Sequence, residues 1–375
     1  MTRIGFVADV HIGNHRKHGG EMQAGLNSRC RASIAALRRA VDTALAHEVE
    51  AFVICGDLFD SARPSPQIVA AVQVELDRVA TVVLVGNHDR MSDDEGDHAC
   101  APLNPVANVV DVVEQYEFGG VELLAVPYRS GNARDWFWSV LTDTAPLPGC
   151  AHRLIAFHLG VEDEKTERFL KGAHDSIHKD ALADAMRAGG FSHAFAGNWH
   201  EHRHWEFQWP DDESTADVVQ VGTLCPTGWD NSGLDSGYGR LAIFDTETKR
   251  KVSMVEIPGP RFLTVNGPTA ADTIIKSAHE DGHDVYARWK APMSDMEEAQ
   301  EELQEWIASG LIAGGHVQPD DEQAEAAARK AATVARKAET LGEALAAFVG
   351  EMPLEEGIDR AQVLAKANEY LGGAA

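Results

Sequence analysis

Five short polar clusters each follow an apolar, strand-like run, and their residue types are those that hold divalent cations. Asp9-Val10-His11 follows IGFVA, Gly56-Asp57 follows AFVIC, and Gly86-Asn87-His88-Asp89 follows TVVLV. His158 follows LIAF, and Gly197-Asn198-Trp199-His200 follows HAFA. One residue between Asp9 and His11 lets a carboxylate and an imidazole reach the same ion, a donor pair suited to Mn²⁺, Fe or Zn²⁺ rather than Ca²⁺. Asp57 has two oxygens with which to bridge two cations, and Gly56 permits close backbone approach. Asn87 offers a neutral amide oxygen, His88 an imidazole able to handle a proton, and Asp89 a carboxylate able to orient that ring. Taken singly, each cluster is explained as well by a turn or a solvated loop, and a lone His158 by a hydrogen-bonded core histidine. Five clusters at five strand ends, in one order along the chain, are what a site at the carboxyl edge of a sheet requires.

The elements that must position these groups are legible as alternating apolar runs and helical periodicities, the pattern of an α/β arrangement. Strands are expected at Ile4 to Ala8, Ala51 to Cys55, Thr81 to Val85, Val121 to Val126, Leu154 to Phe157, His193 to Ala196, Val218 to Val221 and Arg240 to Phe244. Spacings of three and four predict helices over Arg31 to His47, Pro66 to Val79 and Lys179 to Ala188. The Pro258-Gly259-Pro260 break divides residues 1–260 from a small α/β unit, 261–318, with an amphipathic helix bearing Met296, Ala299, Leu303, Trp306 and Ile307 on one face. Residues 319–375 form a helical tail, with one long helix from Asp320 to Phe348 and a final one through Leu371.

With 375 residues, 44% of them hydrophobic, the chain has material for a large core and more than one domain. A net charge of -26 argues against tight independent binding of nucleic acid, which calls for a basic excess. Five scattered cysteines with no C-x-x-C pair indicate neither a disulfide framework nor a zinc ribbon. No signal peptide and no membrane span are expected, so the setting expected is a reducing cytoplasm.

The five clusters match, in order, the motifs D-x-H, G-D, G-N-H-[DE], H and G-H-x-H of the calcineurin-like metallophosphoesterase superfamily, and the sequence resembles it from residue 3 to about 204. The resemblance implies a four-layer αββα sandwich with a small α/β capping domain at 261–318 and the helical tail. Within the superfamily the chain is similar to the DNA-repair exonuclease branch of SbcD-like nuclease subunits, phage counterparts included. The residues that carry this are Gly56-Asp57-Leu58-Phe59-Asp60, LLAVPY through Tyr128, VGTLCPT, SGYGRLAIFD and PRF.

That likeness implies a Mn²⁺-dependent DNA exo- or endonuclease of recombination or repair, with Fe, Mg²⁺ or Zn²⁺ as other metals. It also implies an SbcC-like coiled-coil ATPase as partner, docked through the tail, and a homodimer within a heterotetramer. Asp9, His11, Asp57 and His200 would hold one cation, and Asp57, Asn87, His158 and Asn198 the other, for in-line attack of water on a phosphodiester. His88 would protonate the leaving oxygen, its ring held by Asp89.

One residue departs from the pattern: Asn198 stands where the last motif has histidine. Two registers therefore compete, one with Asn198 and His200 as ligands and one displaced by two residues, with His200 and His202. Two further functions fit the motifs, a small-molecule phosphatase or cyclic phosphodiesterase, and a scaffold of this fold with a weakened site.

Overall fold

The computed structural model describes residues 1–15, 19, 22–92, 94–130, 133–164, 166, 175–209, 215–226, 228–229, 238–248, 251–266, 268–280, 283–320, 346, 349 and 359–372. The chain divides into two compact units, residues 1–288 with 303–316, and residues 289–302 with 317–375.

The strands of the larger unit are β1 (Arg3–Val7), β2 (Ala51–Ile54), β3 (Thr81–Leu84), β4 (Asn108–Val110), β5 (Glu114–Phe118), β6 (Val121–Val126), β7 (His152–Phe157), β8 (Gly160–Glu162), β9 (Ser176–His178), β10 (His193–Ala196), β11 (Arg203–Gln208), β12 (Thr215–Gln220), β13 (Tyr238–Asp245) and β14 (Val252–Pro258). Two six-stranded sheets result, ordered β14-β13-β1-β2-β3-β4 and β11-β12-β10-β7-β6-β5. β1 to β4 run parallel, as do β6, β7, β10 and β12, so their carboxyl ends gather along one edge of each sheet.

Helices α1 (Ser28–Ala46) and α2 (Pro66–Leu76) cover the first sheet. α1 starts where the Asn27 side chain accepts from the Cys30 N–H, and it buries Ile34, Leu37 and Val41 at helical spacing. α2 starts at Ser65, with Pro66 in the first turn where no backbone donor is needed. α3 (Ala133–Asp143) and α4 (Lys179–Gly189) cover the second sheet, through Phe137, Leu141, Leu182 and Met186. Between the sheets lies a third apolar layer of Ile4, Phe6, Val53, Leu84, Leu154, Ala156, Phe195 and Val219, in which the Phe6 and Phe195 rings stack at 3.7 Å. Each such large side chain, fully buried, contributes roughly 1.5–3 kcal/mol, and the strands that carry the polar clusters carry this layer too. The architecture is the expected four-layer αββα sandwich.

All eight expected strands form, within a few residues of their expected ends. β4, β5, β8, β9, β11, β14 and α3 are additional to the expected elements. β11 is the informative case, because it places His204 on an edge strand that begins directly after His202. In RHWEFQ the side chains alternate, Trp205 and Phe207 packing against the core on one face and His204 and Glu206 exposed on the other.

Beyond β14 come β15 (Arg261–Val265), α5 (Pro268–Glu280), β16 (Val285–Ala291), α6 (Met296–Ala308), β17 (Gly314–Pro319) and α7 (Arg360–Gly372). β15, β16 and β17 form a three-stranded sheet in that order. α6 buries Ala299, Leu303 and Trp306, the expected apolar face. The long helix expected over 320–348 lies, apart from Asp320 and Ala346, outside the described residues. Among the described residues no helix is long and apolar enough to cross a membrane, and all five cysteines are free thiols.

Candidate metal centre

The carboxyl ends of β1, β2, β3, β7 and β10 bring Asp9, His11, Asp57, Asn87, His88, His158, Asn198 and His200 to one edge of the sandwich. Asp9, His11, Asp57 and His158 are buried, and His88 is exposed. Three sets of donor atoms lie within 4.8 Å of one another: Asp9 with His11 and His200, His11 with Asp57 and His88, and Asp9 with Asp57 and His158. Asp9, His11 and Asp57 are each shared between two of these sets.

Asp57 Oδ2 stands 3.8 Å from His11 Nε2 and 3.4 Å from His158 Nε2. Its other oxygen accepts from the His88 backbone N–H at 2.9 Å. His11 Nε2 and His200 Nε2 approach to 3.0 Å, and His158 Nε2 lies 2.9 Å from Asn87 Oδ1. The carbonyl of Cys55 fixes His158 through Nδ1 at 2.7 Å, which directs Nε2 into the cluster.

Local backbone geometry points to a built site. Among the described residues six non-glycine residues have positive φ, and four of them are Asp9, His11, Asp57 and Asn198. Such conformations cost energy and persist where surrounding structure enforces them. Gly56 and Gly86 are required sterically: a Cβ on Gly56 would sit 2.1 Å from His158 Nδ1, and one on Gly86 2.2 Å from Asp57 Oδ1.

The electrostatics are those of a cluster arranged for cations. Burial raises the Asp9 carboxyl to about 6 against the pull of His158, and burial lowers His11 to about 3 despite Asp57. Burial also opposes charge on Asp57 and His158, yet their mutual attraction wins, holding the Asp57 carboxyl below its usual range and raising His158 to about 9. Among the described residues Asp9 Oδ2 and His11 Nδ1 are buried polar atoms with no hydrogen-bond partner. An unpartnered buried carboxylate oxygen is costly unless a cation meets it. Shared carboxylates, converging imidazoles and an amide oxygen therefore fit a pair of divalent ions.

The sequence left two matters that the geometry now addresses. His200 joins the cluster, whereas His202 belongs to none of its three donor sets and turns its Nδ1 to the carbonyl of Gln220 at 3.0 Å. Asp89 does not hold the His88 ring. It is buried, and its two oxygens accept from the backbone N–H groups of Gly86, Leu58 and Phe59, clasping two of the site's loops together. Burial, with the Asp57 charge beside it, raises the Asp89 carboxyl to about 7. The His88 ring instead donates from Nδ1 to the carbonyl of Asp60 at 3.1 Å. That contact was invisible in the sequence, because a main-chain carbonyl leaves no residue-type signal.

The family model for the calcineurin-like phosphoesterases matches residues 2–204. No curated protein matches the chain. Among solved structures, an archaeal phosphodiesterase is 14% identical over 68% of this chain and 100% of its own, with a TM-score of 0.35. A dimetal phosphatase from Danio rerio is 15% identical over 68% of this chain and 96% of its own, with a TM-score of 0.43. The purple acid phosphatase PPD1 from yellow lupin seeds is 10% identical over 64% of this chain and 48% of its own, with a TM-score of 0.41. With more than half its length matched by that family model, the chain belongs to the calcineurin-like phosphoesterase family of metal-dependent hydrolases.

Proposed function

We propose that this chain is a Mn²⁺-dependent DNA exo- or endonuclease subunit that works in recombination or repair beside an SbcC-like coiled-coil ATPase. The observation that carries the reading is the groove beside the metal centre. A cavity of about 570 Å³ is lined by Arg90, Tyr128, Arg129 and Trp136, with Glu95 and Asp111 also in its wall. It adjoins the site, since Arg90 follows His88 by two residues and the Tyr128 ring meets His158 edge-on at 6.2 Å. The Arg129 guanidinium lies over the Trp136 ring at 5.0 Å. Aromatic faces interleaved with guanidinium groups receive bases and phosphates of a nucleic-acid strand.

In this reading Asp9, His11, Asp57 and His200 would hold one cation and Asp57, Asn87, His158 and Asn198 the other, a donor set suited to Mn²⁺, with Fe, Mg²⁺ or Zn²⁺ as alternatives. Bound there, the pair would supply Lewis acidity and make hydroxide available near neutral pH as the nucleophile toward phosphorus. His88 supplies the proton: with Nδ1 committed as a donor to Asp60, Nε2 is the nitrogen that exchanges with the leaving oxygen. Asp89 acts by holding the loops of Asp57 and Asn87 in place. Residues 261–318 serve as a capping domain and 319–375 as the ATPase-docking segment, in a cytoplasmic heterotetramer with two copies of this chain. The partner supplies most of the DNA grip, which reconciles the role with a net charge of -26.

That same acidity favours a second reading, a phosphodiesterase of small molecules. Hydrolysis of linear duplex DNA and of a chromogenic phosphodiester, both with Mn²⁺, separates the two. A nuclease degrades DNA, and Trp136→Ala slows that reaction while sparing the chromogenic substrate. Equal loss on both substrates, or no action on DNA with or without the ATPase, overturns the nuclease reading.

A further inference from the structure

At the end of the second sheet away from the metal centre, three adjacent strands place chemistry-bearing side chains in a row. His193 on β10 is paired in register with Asp217 on β12, and Asp217 with Glu206 on β11. His204 lies two residues before Glu206 and shares its exposed face. His193 opens β10 whereas Asn198 follows its end, and at ~3.3 Å per residue the row is roughly 16 Å from the phosphoesterase centre.

Two carboxylates directly opposite one another across a strand pair repel. Here they are met by donors of the complementary kind: one nitrogen or oxygen each from His204, Glu206 and Asp217 lies within 4.8 Å of the others. His204 Nε2 stands 3.6 Å from Asp217 Oδ1. The remaining oxygen, Oδ2, is taken by His193 Nε2 at 3.2 Å, and His193 Nδ1 is engaged by the Ser192 hydroxyl at 2.9 Å. The His193 ring is 8% exposed and rests edge-on against Phe244 at 4.9 Å, so it fixes Asp217 with Oδ1 turned toward His204. An imidazole that anchors the far oxygen of a ligating carboxylate is the usual outer support of a metal site.

The cluster opens into a groove of about 850 Å³ between β11 and β14, the edge strands of the two sheets, which gives an ion a path from solvent. Lys251 in that groove directs its ammonium to the carbonyl of Thr246.

We propose that His204, Glu206 and Asp217 bind a divalent transition-metal ion, with Zn²⁺ as the probe, at a second site separate from the phosphoesterase centre and supported by His193. One imidazole and two carboxylates with an open position suit Zn²⁺ or Mn²⁺. The ion joins β11 to β12 at a sheet edge, where the ladder is otherwise one-sided.

The test is a Zn²⁺ titration of chelator-stripped full-length protein against a chromophoric competing chelator. The His204→Ala/Glu206→Gln double variant, altered only at exposed positions, should bind one equivalent fewer than the unaltered chain and keep its Mn²⁺-dependent phosphodiesterase rate. Asp57→Asn should lose Zn²⁺ at the phosphoesterase centre and still retain the equivalent that the double variant removes. Equal stoichiometry in the unaltered and doubly substituted proteins overturns the proposal and leaves a hydrogen-bonded histidine–carboxylate cluster only.

Discussion

The backbone N–H of Asn198 donates to Asp9 Oδ1 at 2.9 Å, while the Asn198 side chain turns its Nδ2 to the carbonyl of Asp175 at 3.2 Å. With the amide nitrogen so committed, Oδ1 is the atom left to meet a cation. The residue also sits at φ 83°, where asparagine and glycine are tolerated best. Asn198→Gly therefore separates the two roles: the backbone bond to Asp9 survives and the side-chain oxygen is lost. The expected result is a melting temperature within a degree or two of the unaltered protein and a Mn²⁺ requirement raised roughly 10-fold or more, as for loss of a weak ligand or its support. An unchanged Mn²⁺ dependence would remove Asn198 from the ligand set.

His88 is the exposed member of the cluster, edge-on to the His11 ring at 4.8 Å and held by the Asp60 carbonyl. His88→Gln keeps a polar side chain of similar reach but cannot exchange a proton near neutral pH. Turnover should fall by about 10²–10⁴, the range for loss of a general acid. Metal content, measured by elemental analysis, should stay the same. Turnover within a factor of about three of the unaltered protein would place the proton elsewhere.

How much of this was legible beforehand depended on the kind of signal. Strands carrying fully buried faces, such as β2 and β10, announce themselves as apolar runs, and the polar residue that ends each run is visible beside them. β11 alternates polar and apolar residues at a sheet edge, so its signal is weak and no strand is expected there. The metal cluster could be assembled from residue types in order. The partner of the His88 ring could not, because Asp89 was the nearest suitable side chain in sequence while the contact comes from a main-chain oxygen 28 residues away. The sequence places Asp89 beside His88, but its three backbone donors, Gly86, Leu58 and Phe59, are main-chain groups that no residue type announces.

The thiols give a test of the packing around the site. Burial pushes Cys30 up to about 12 and Cys225 to about 11, and it raises Cys55 and Cys100 well above the ordinary thiol range. Cys150 is partly exposed, although burial and the nearby Glu117 and Glu122 raise it somewhat. The thiolate is the reactive species. A chromogenic disulfide reagent at pH 8 should therefore titrate one thiol in the native protein, abolished by Cys150→Ser, and all five after unfolding. Fast reaction of Cys55 would mean that the sheet ends under His158 open in solution.

Acid sensitivity can be traced to one pair at the other end of the first sheet. Arg3 on β1 and Asp245 on β13 are register partners, and the guanidinium Nε lies 2.8 Å from Asp245 Oδ2. That hydrogen bond holds the Asp245 carboxyl below its usual range, against a smaller upward push from burial, with further help from the Glu247 N–H. A carboxyl depressed in the fold takes up its proton more readily in the unfolded chain. Its contribution is complete above the unfolded value of about 3.9 and fades as pH falls through the lower folded value. Asp245→Asn should therefore melt below the unaltered protein by a constant margin from pH 5 to 8, and the margin should shrink once the pH drops below about 4. Both proteins titrate their other carboxylates alike, so the difference isolates this pair. A margin that persisted undiminished at pH 3 would show that the stabilisation is packing rather than charge.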